Sequence, residues 1–126
     1  MLNVLIIPPD NTDYVDSIIE LARDAKQAFP EISISILVTT DTYDHYYYSG
    51  YFEGLIINPK SVLRKLSLFE VKQFDVALIA EHKCVWGMAC LKAGIKNKLN
   101  FWPDFSTQDR KQRIFSKLSE ISAKNN

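Results

Sequence analysis

Apolar positions in this chain follow two rhythms. Strand-like segments appear at Leu2 to Ile7 (LNVLII), Ile32 to Val38 (ISISILV, rich in β-branched residues), Leu55 to Ile57, Val76 to Ala80 (VALIA, apolar throughout) and Ile95 to Phe101 (IKNKLNF). VALIA is too short for a helix and too uniform for a strand wetted on one side, so it reads as a strand covered on both faces, and LNVLII reads as a buried first strand. Between them, apolar residues recur every three or four positions. Val15, Ile18, Ile19, Ala22, Ala25 and Phe29 form one stripe, with Asp16, Glu20, Arg23, Asp24 and Lys26 on the other face. This predicts an amphipathic helix, capped by Asn11 or Thr12 and stopped by Pro30.

A second helix is expected over about Lys60 to Lys72, and a short one over Val85 to Ala93, with Gly94 as its stop. A last helix carries Ile114, Phe115, Leu118 and Ile121, after a segment Ser106-Thr107-Gln108-Asp109 that resembles a capping box. Only Thr39 to Gly54 (TTDTYDHYYYSGYFEG) shows no clean period and reads as a loop. Strands alternating with helices imply a parallel sheet with right-handed crossovers. The expectation is an α/β fold: a single Rossmann-like three-layer α/β/α domain over residues 1–126, with five parallel strands in the order 3-2-1-4-5.

At 126 residues the chain fits one domain with a substantial core. Lysine plus arginine balance aspartate plus glutamate at 15 each, so no global field attracts nucleic acid or an acidic membrane. No apolar run approaches the ~20 residues that span a bilayer, and a cytoplasmic protein is expected. Cys84 and Cys90 fit no common zinc or redox spacing and read as buried free thiols.

In an open parallel sheet, ligands bind beyond the carboxyl ends of the strands where strand order reverses. Here that point falls between the first and fourth strands, and gathers the loop Pro8 to Asp13 with Glu81, His82 and Lys83. Asp10, Asn11, Thr12, Glu81 and Lys83 are candidate ligand contacts; Asp13 is a candidate general base, and His82 a candidate proton shuttle or phosphate contact. Against these stand turn chemistry, helix capping and ordinary solvated strand ends. The first loop, PPDNTD, lacks the glycines of a dinucleotide fingerprint, and no Walker A loop occurs, so no cofactor is expected. His45 beside Asp44 and near Asp41 is too sparse a set for a metal. Tyr43, Tyr46, Tyr47, Tyr48, Tyr51 and Phe52 crowd the loop-like segment. Large amphipathic rings suit a protein interface, a homodimer included, or a glycan; the alternative is that some merely cover the sheet edge.

LNVLII, the loop containing Asp13, and SIIELARDAKQAFPEISISILV together resemble the start of heptosyltransferase-like (family 9, two-domain GT-B) glycosyltransferases. FDVALIA followed by ACLKAGIKNKLNFW resembles a later strand, small-residue helix, Ala-Gly-Ile turn and strand of the same enzymes. The resemblance implies the N-terminal, acceptor-binding Rossmann half, with an aspartate of the first loop as base for the acceptor hydroxyl. Those enzymes carry Gly-Asp there; ungapped alignment sets Asp13 on the glycine and Tyr14 on the aspartate. They also bind most of the nucleotide-sugar donor on a second domain that these residues do not supply. Two functions follow as expectations. One is a non-catalytic or partner-dependent binding module, acting through a protein partner or a second copy at the tyrosine segment. The other is a glycosyltransferase domain or subunit acting on a lipopolysaccharide or glycan precursor. A phospho-acceptor receiver domain fails, because the third strand ends in Asn58-Pro59 where an aspartate is required.

Overall fold

The computed structural model describes residues 2–9, 12–70, 73–80, 84–100 and 108–124. Its strands are β1 (Asn3–Ile7), β2 (Ser33–Val38), β3 (Gly54–Ile57), β4 (Val76–Ile79) and β5 (Asn97–Asn100). The helices are α1 (Val15–Ala28), α2 (Tyr43–Ser49), α3 (Val62–Ser67), α4 (Cys84–Lys92) and α5 (Gln108–Lys124). The strands form one parallel sheet in the order β3-β2-β1-β4-β5, as the alternation predicts.

Because side chains alternate across a strand, each central strand feeds two cores. Val4 and Ile6, Ile34, Ile36 and Val38, and Val76 and Leu78 face one side. There they meet Ile18, Leu21 and Ala22 of α1, Tyr46 of α2, and Ile114, Leu118 and Ile121 of α5. Leu5, Ile7, Leu37, Ala77 and Ile79 face the other side, against Phe69 after α3 and Trp86, Ala89 and Cys90 of α4. Leu5 aligns with Ser35 and Ala77, so the two cores stay in register across the sheet centre.

The amino ends of the central strands are closed by carboxylates. Asp75 accepts a 2.8 Å hydrogen bond from the Asn3 backbone N–H, and Glu53 accepts one of 2.8 Å from Ile34. Glu53 also pairs with Lys26. Burial works to raise the Glu53 carboxyl, but the bonds from Lys26 and Ile34 outweigh it and hold it below the ordinary range.

Four expectations need correction. The tyrosine segment is not a loop: it forms α2, stopped by Gly50 at φ 80°. The helix expected over about Lys60 to Lys72 is a six-residue α3, with Ser61 as its cap. The α1 cap is Tyr14, with no side-chain cap bond, rather than Asn11 or Thr12. Cys90 is buried, but Cys84 is exposed, because it occupies the outer side of α4. The expected capping box at Ser106–Thr107 lies outside the described residues.

Candidate functional site

The strand order reverses at β1, which has β2 on one side and β4 on the other. The chains leaving β1 and β4 start side by side, fastened by a 2.8 Å bond from the Ala80 N–H to the Ile7 carbonyl. Pro8 and Pro9 then run buried, and Thr12 and Asp13 emerge exposed before α1. Proline explains the course: without N–H groups the two residues leave the ladder without orphaning a donor. Asp10, Asn11, Glu81, His82 and Lys83, all candidates from the sequence, lie outside the described residues.

The loop after β2 borders the same end of the sheet. Thr42 is buried there, and its hydroxyl accepts from the Thr39 N–H at 3.0 Å, tightening the turn into α2. Beside it Asn58 donates its N–H to the Val38 carbonyl at 2.8 Å, which continues the β2–β3 ladder. The Asn58 side-chain oxygen is buried with no hydrogen-bond partner among the described residues. A buried acceptor left unpaired is costly, and it is a place where a donor is wanted. In the sequence Asn58 marks only the end of a strand, and no local pattern distinguishes it.

The tyrosine segment divides. Tyr46 is 1% exposed and packs edge-on against Phe52 at 5.3 Å, inside the core. Its side chain is therefore not available to a partner. Burial pushes its phenol well above the usual tyrosine range. Tyr43 and Tyr47, one helical turn apart, stack at 5.8 Å, and Tyr48 stands edge-on to Tyr47 at 5.2 Å. Tyr47 and Tyr48 are exposed; Tyr43, Tyr51 and Phe52 are half-buried against the core. His45 is exposed on the same helix.

One depression lies along the outer side of α5, and several lie at the opposite, amino end of the sheet. One of about 510 Å³ is lined by Gln73, Phe74, Asp75, Lys96 and Asn97, among others; a second of about 310 Å³ includes Asn3, Ser35 and Glu53. Their carboxylates, Asp75 and Glu53, are already committed to strand-start N–H groups. We therefore weigh the carboxyl end, where the strand order reverses, above these hollows as the place for chemistry.

No family model matches the sequence, and no curated protein matches it. Among solved structures the chain is similar to E. coli ADP-heptose LPS heptosyltransferase II, with a TM-score of 0.67 at 17% identity. The likeness covers 79% of this chain and 30% of that one. The two share a Rossmann-like α/β fold, and this chain spans less than a third of the length of that enzyme.

Proposed function

We propose that the chain is a partner-dependent Rossmann-like binding module that holds a glycan or sugar-phosphate at the carboxyl end of its sheet. One observation carries this reading: strand order reverses beside the exposed Thr12 and Asp13 in a fold similar to part of a heptosyltransferase. The ligand is taken to contact Thr12 and Asp13, together with Asp10, Asn11, Glu81 and Lys83, which adjoin them or Ala80 in sequence. Chemistry on a nucleotide-sugar requires groups from elsewhere, because these residues offer no phosphate-binding glycine loop. Titrating isotopically labelled protein with a heptose-bearing core oligosaccharide should shift the amides of Thr12 to Tyr14 and Thr39 to Thr42. Unmoved amides at millimolar oligosaccharide would sink the reading.

The exposure of Asp13 favours a second reading, a transferase domain completed by a donor-binding partner. In it Asp13 takes the proton of the acceptor hydroxyl and His82 contacts acceptor or phosphate. Transfer from ADP-heptose in the completed assembly would then collapse in Asp13→Asn. Unchanged turnover in that variant returns the chain to a binding role.

The stacked Tyr43–Tyr47 pair and Tyr48 are the proposed contact for a protein partner or a second copy. Tyr51 and Phe52, half-buried after α2, are proposed to join that contact.

A further inference from the structure

Net charge is zero for the whole chain, yet charge is not evenly distributed. Over the described residues from Lys60 to Lys96 that build the α3–α4 layer and its flanks, Lys60, Arg64, Lys65, Lys92 and Lys96 face a single acid, Glu70, outside the strand-edge Asp75. Lys92 pairs with that Glu70 at 3.2 Å, which ties α4 to the turn after α3 and still leaves the layer basic. The α1–α5 layer, by contrast, mixes both signs.

The same layer carries most of the exposed large aliphatic side chains. Val62 and Leu63 on α3 and Met88 and Leu91 on α4 stand in solvent, Leu63 at 77% and Leu91 at 70% exposure, whereas the exposed Ile57 aligns with Val38 and faces the α1–α5 side. On α4, Trp86, Ala89 and Cys90 turn into the core. Cys84, Met88 and Leu91 recur at four- and three-residue steps on the other side. Up to its terminal Lys92, α4 carries no charge on either face. A helix apolar all round is normally covered on all sides. An apolar stripe rimmed by one sign of charge marks an interaction surface.

We propose that the α3–α4 layer is a membrane-contact surface that seats on an anionic lipid bilayer. Charge decides among the occupants. A second copy related by a two-fold axis would bring the same cations against themselves. A bilayer offers anionic headgroups to Lys60, Arg64 and Lys96 and apolar depth to Leu63, Met88 and Leu91 at the same time. The contact is peripheral: among the described residues no helix is long and apolar enough to cross a membrane.

The full chain can be co-sedimented with vesicles of phosphatidylcholine alone and of phosphatidylcholine mixed with phosphatidylglycerol. Binding is expected only to the phosphatidylglycerol vesicles, and should weaken about tenfold at about 1 M salt, where the Debye length falls to about 3 Å. Two exposed-site variants, Leu63→Ser with Leu91→Ser and Lys60→Gln with Arg64→Gln, should each bind about tenfold or more weakly while keeping native circular dichroism. Failure to bind phosphatidylglycerol vesicles overturns the proposal, as does equal binding to neutral ones or undiminished binding by folded variants. So does a lipid-free dimer that the leucine variant dissociates, since that would make the occupant a second copy.

Discussion

Lys111 shows what a single side chain can conceal from a sequence reading. It lies on α5 at 6% exposure, with its Nζ 3.0 Å from Glu20 and 3.3 Å from Asp24 on α1. Burial works to lower the lysine and to raise Asp24, but hydrogen bonds and opposite charge outweigh it in both, so Lys111 is raised and Asp24 lowered. For the depressed Asp24, stability is present above its unfolded pKa and is lost as pH falls through the folded one. For the raised Lys111, stability is present below its unfolded pKa and is lost as pH rises through the folded one. The clamp is therefore whole between about pH 4 and about pH 10. Lys111→Met should cost about 1–2 kcal/mol at neutral pH, since both carboxylates stay partly in water, and much less near pH 3. Urea midpoints at the two pH values check this; an equal loss at both would remove the electrostatic account. In the sequence Lys111 passes as one more solvated charge. Its spacing of three from Ile114, continuing to Leu118 and Ile121, was the signal that it belongs to the buried stripe. The two thiols separate in the same way. Burial pushes Cys90 up to about 11, slightly offset by Lys98, whereas Cys84 is exposed. A thiol reagent at pH 8 should label Cys84 alone until denaturant is added; rapid labelling of Cys90 in the native protein would contradict its burial.

Helix α2 was not legible because tyrosine has one identity and two roles. Tyr46 points inward while Tyr47 and Tyr48 point out, so apolar-looking rings occupy both faces and the helical period disappears. What fixes the helix is tertiary: the Tyr46–Phe52 contact on one side and a left-handed Gly50 at its end. Tyr46→Ala should cost about 3–5 kcal/mol by opening a core cavity. Tyr48→Ala should change stability by under about 0.5 kcal/mol. Gly50→Ala, forced to keep a positive φ, should cost about 1–2 kcal/mol. Thermal unfolding of the three variants tests the order, and a Tyr48 loss equal to that of Tyr46 would refute the inward–outward division. If the exposed rings do meet a partner, Tyr47→Ser with Tyr48→Ser should lower the mass measured by light scattering without unfolding the chain. The α1 stripe was legible apart from Leu21. The short α3 was overextended because apolar residues continue past Ser67 in turn geometry, with Phe69 still packing into the core.

At the scale of the molecule, strand order and direction could be read because strands alternating with helices admit few arrangements. The site could be read only as a location. Strand reversal fixes where loops converge, but the Asn58 acceptor, unpaired among the described residues, and the segregated charge of the α3–α4 layer depend on three-dimensional neighbours. Equal totals of acid and base spoke against a membrane, yet totals say nothing about distribution. The sheet should also be uneven in stability. β1 and β4 are paired on both sides and almost wholly buried, whereas β5 is an edge strand with alternate residues exposed. Amides of β1 and β4 should exchange with solvent only through global unfolding, and those of β5 by smaller local openings. Comparable protection in β5 would show an edge held by something more than its ladder to β4.

Central placement of β1 has a consequence for synthesis. Translated before the other strands of the sheet, Asn3–Ile7 can pair early with Ser33–Val38, but its other edge finds no mate until Val76–Ile79 is translated. The Asn3 amide waits equally long, for Asp75 is 72 residues downstream. A nascent chain stalled before that point exposes a bare, strongly apolar ladder edge, which is the form of the polypeptide most prone to sticking to its neighbours.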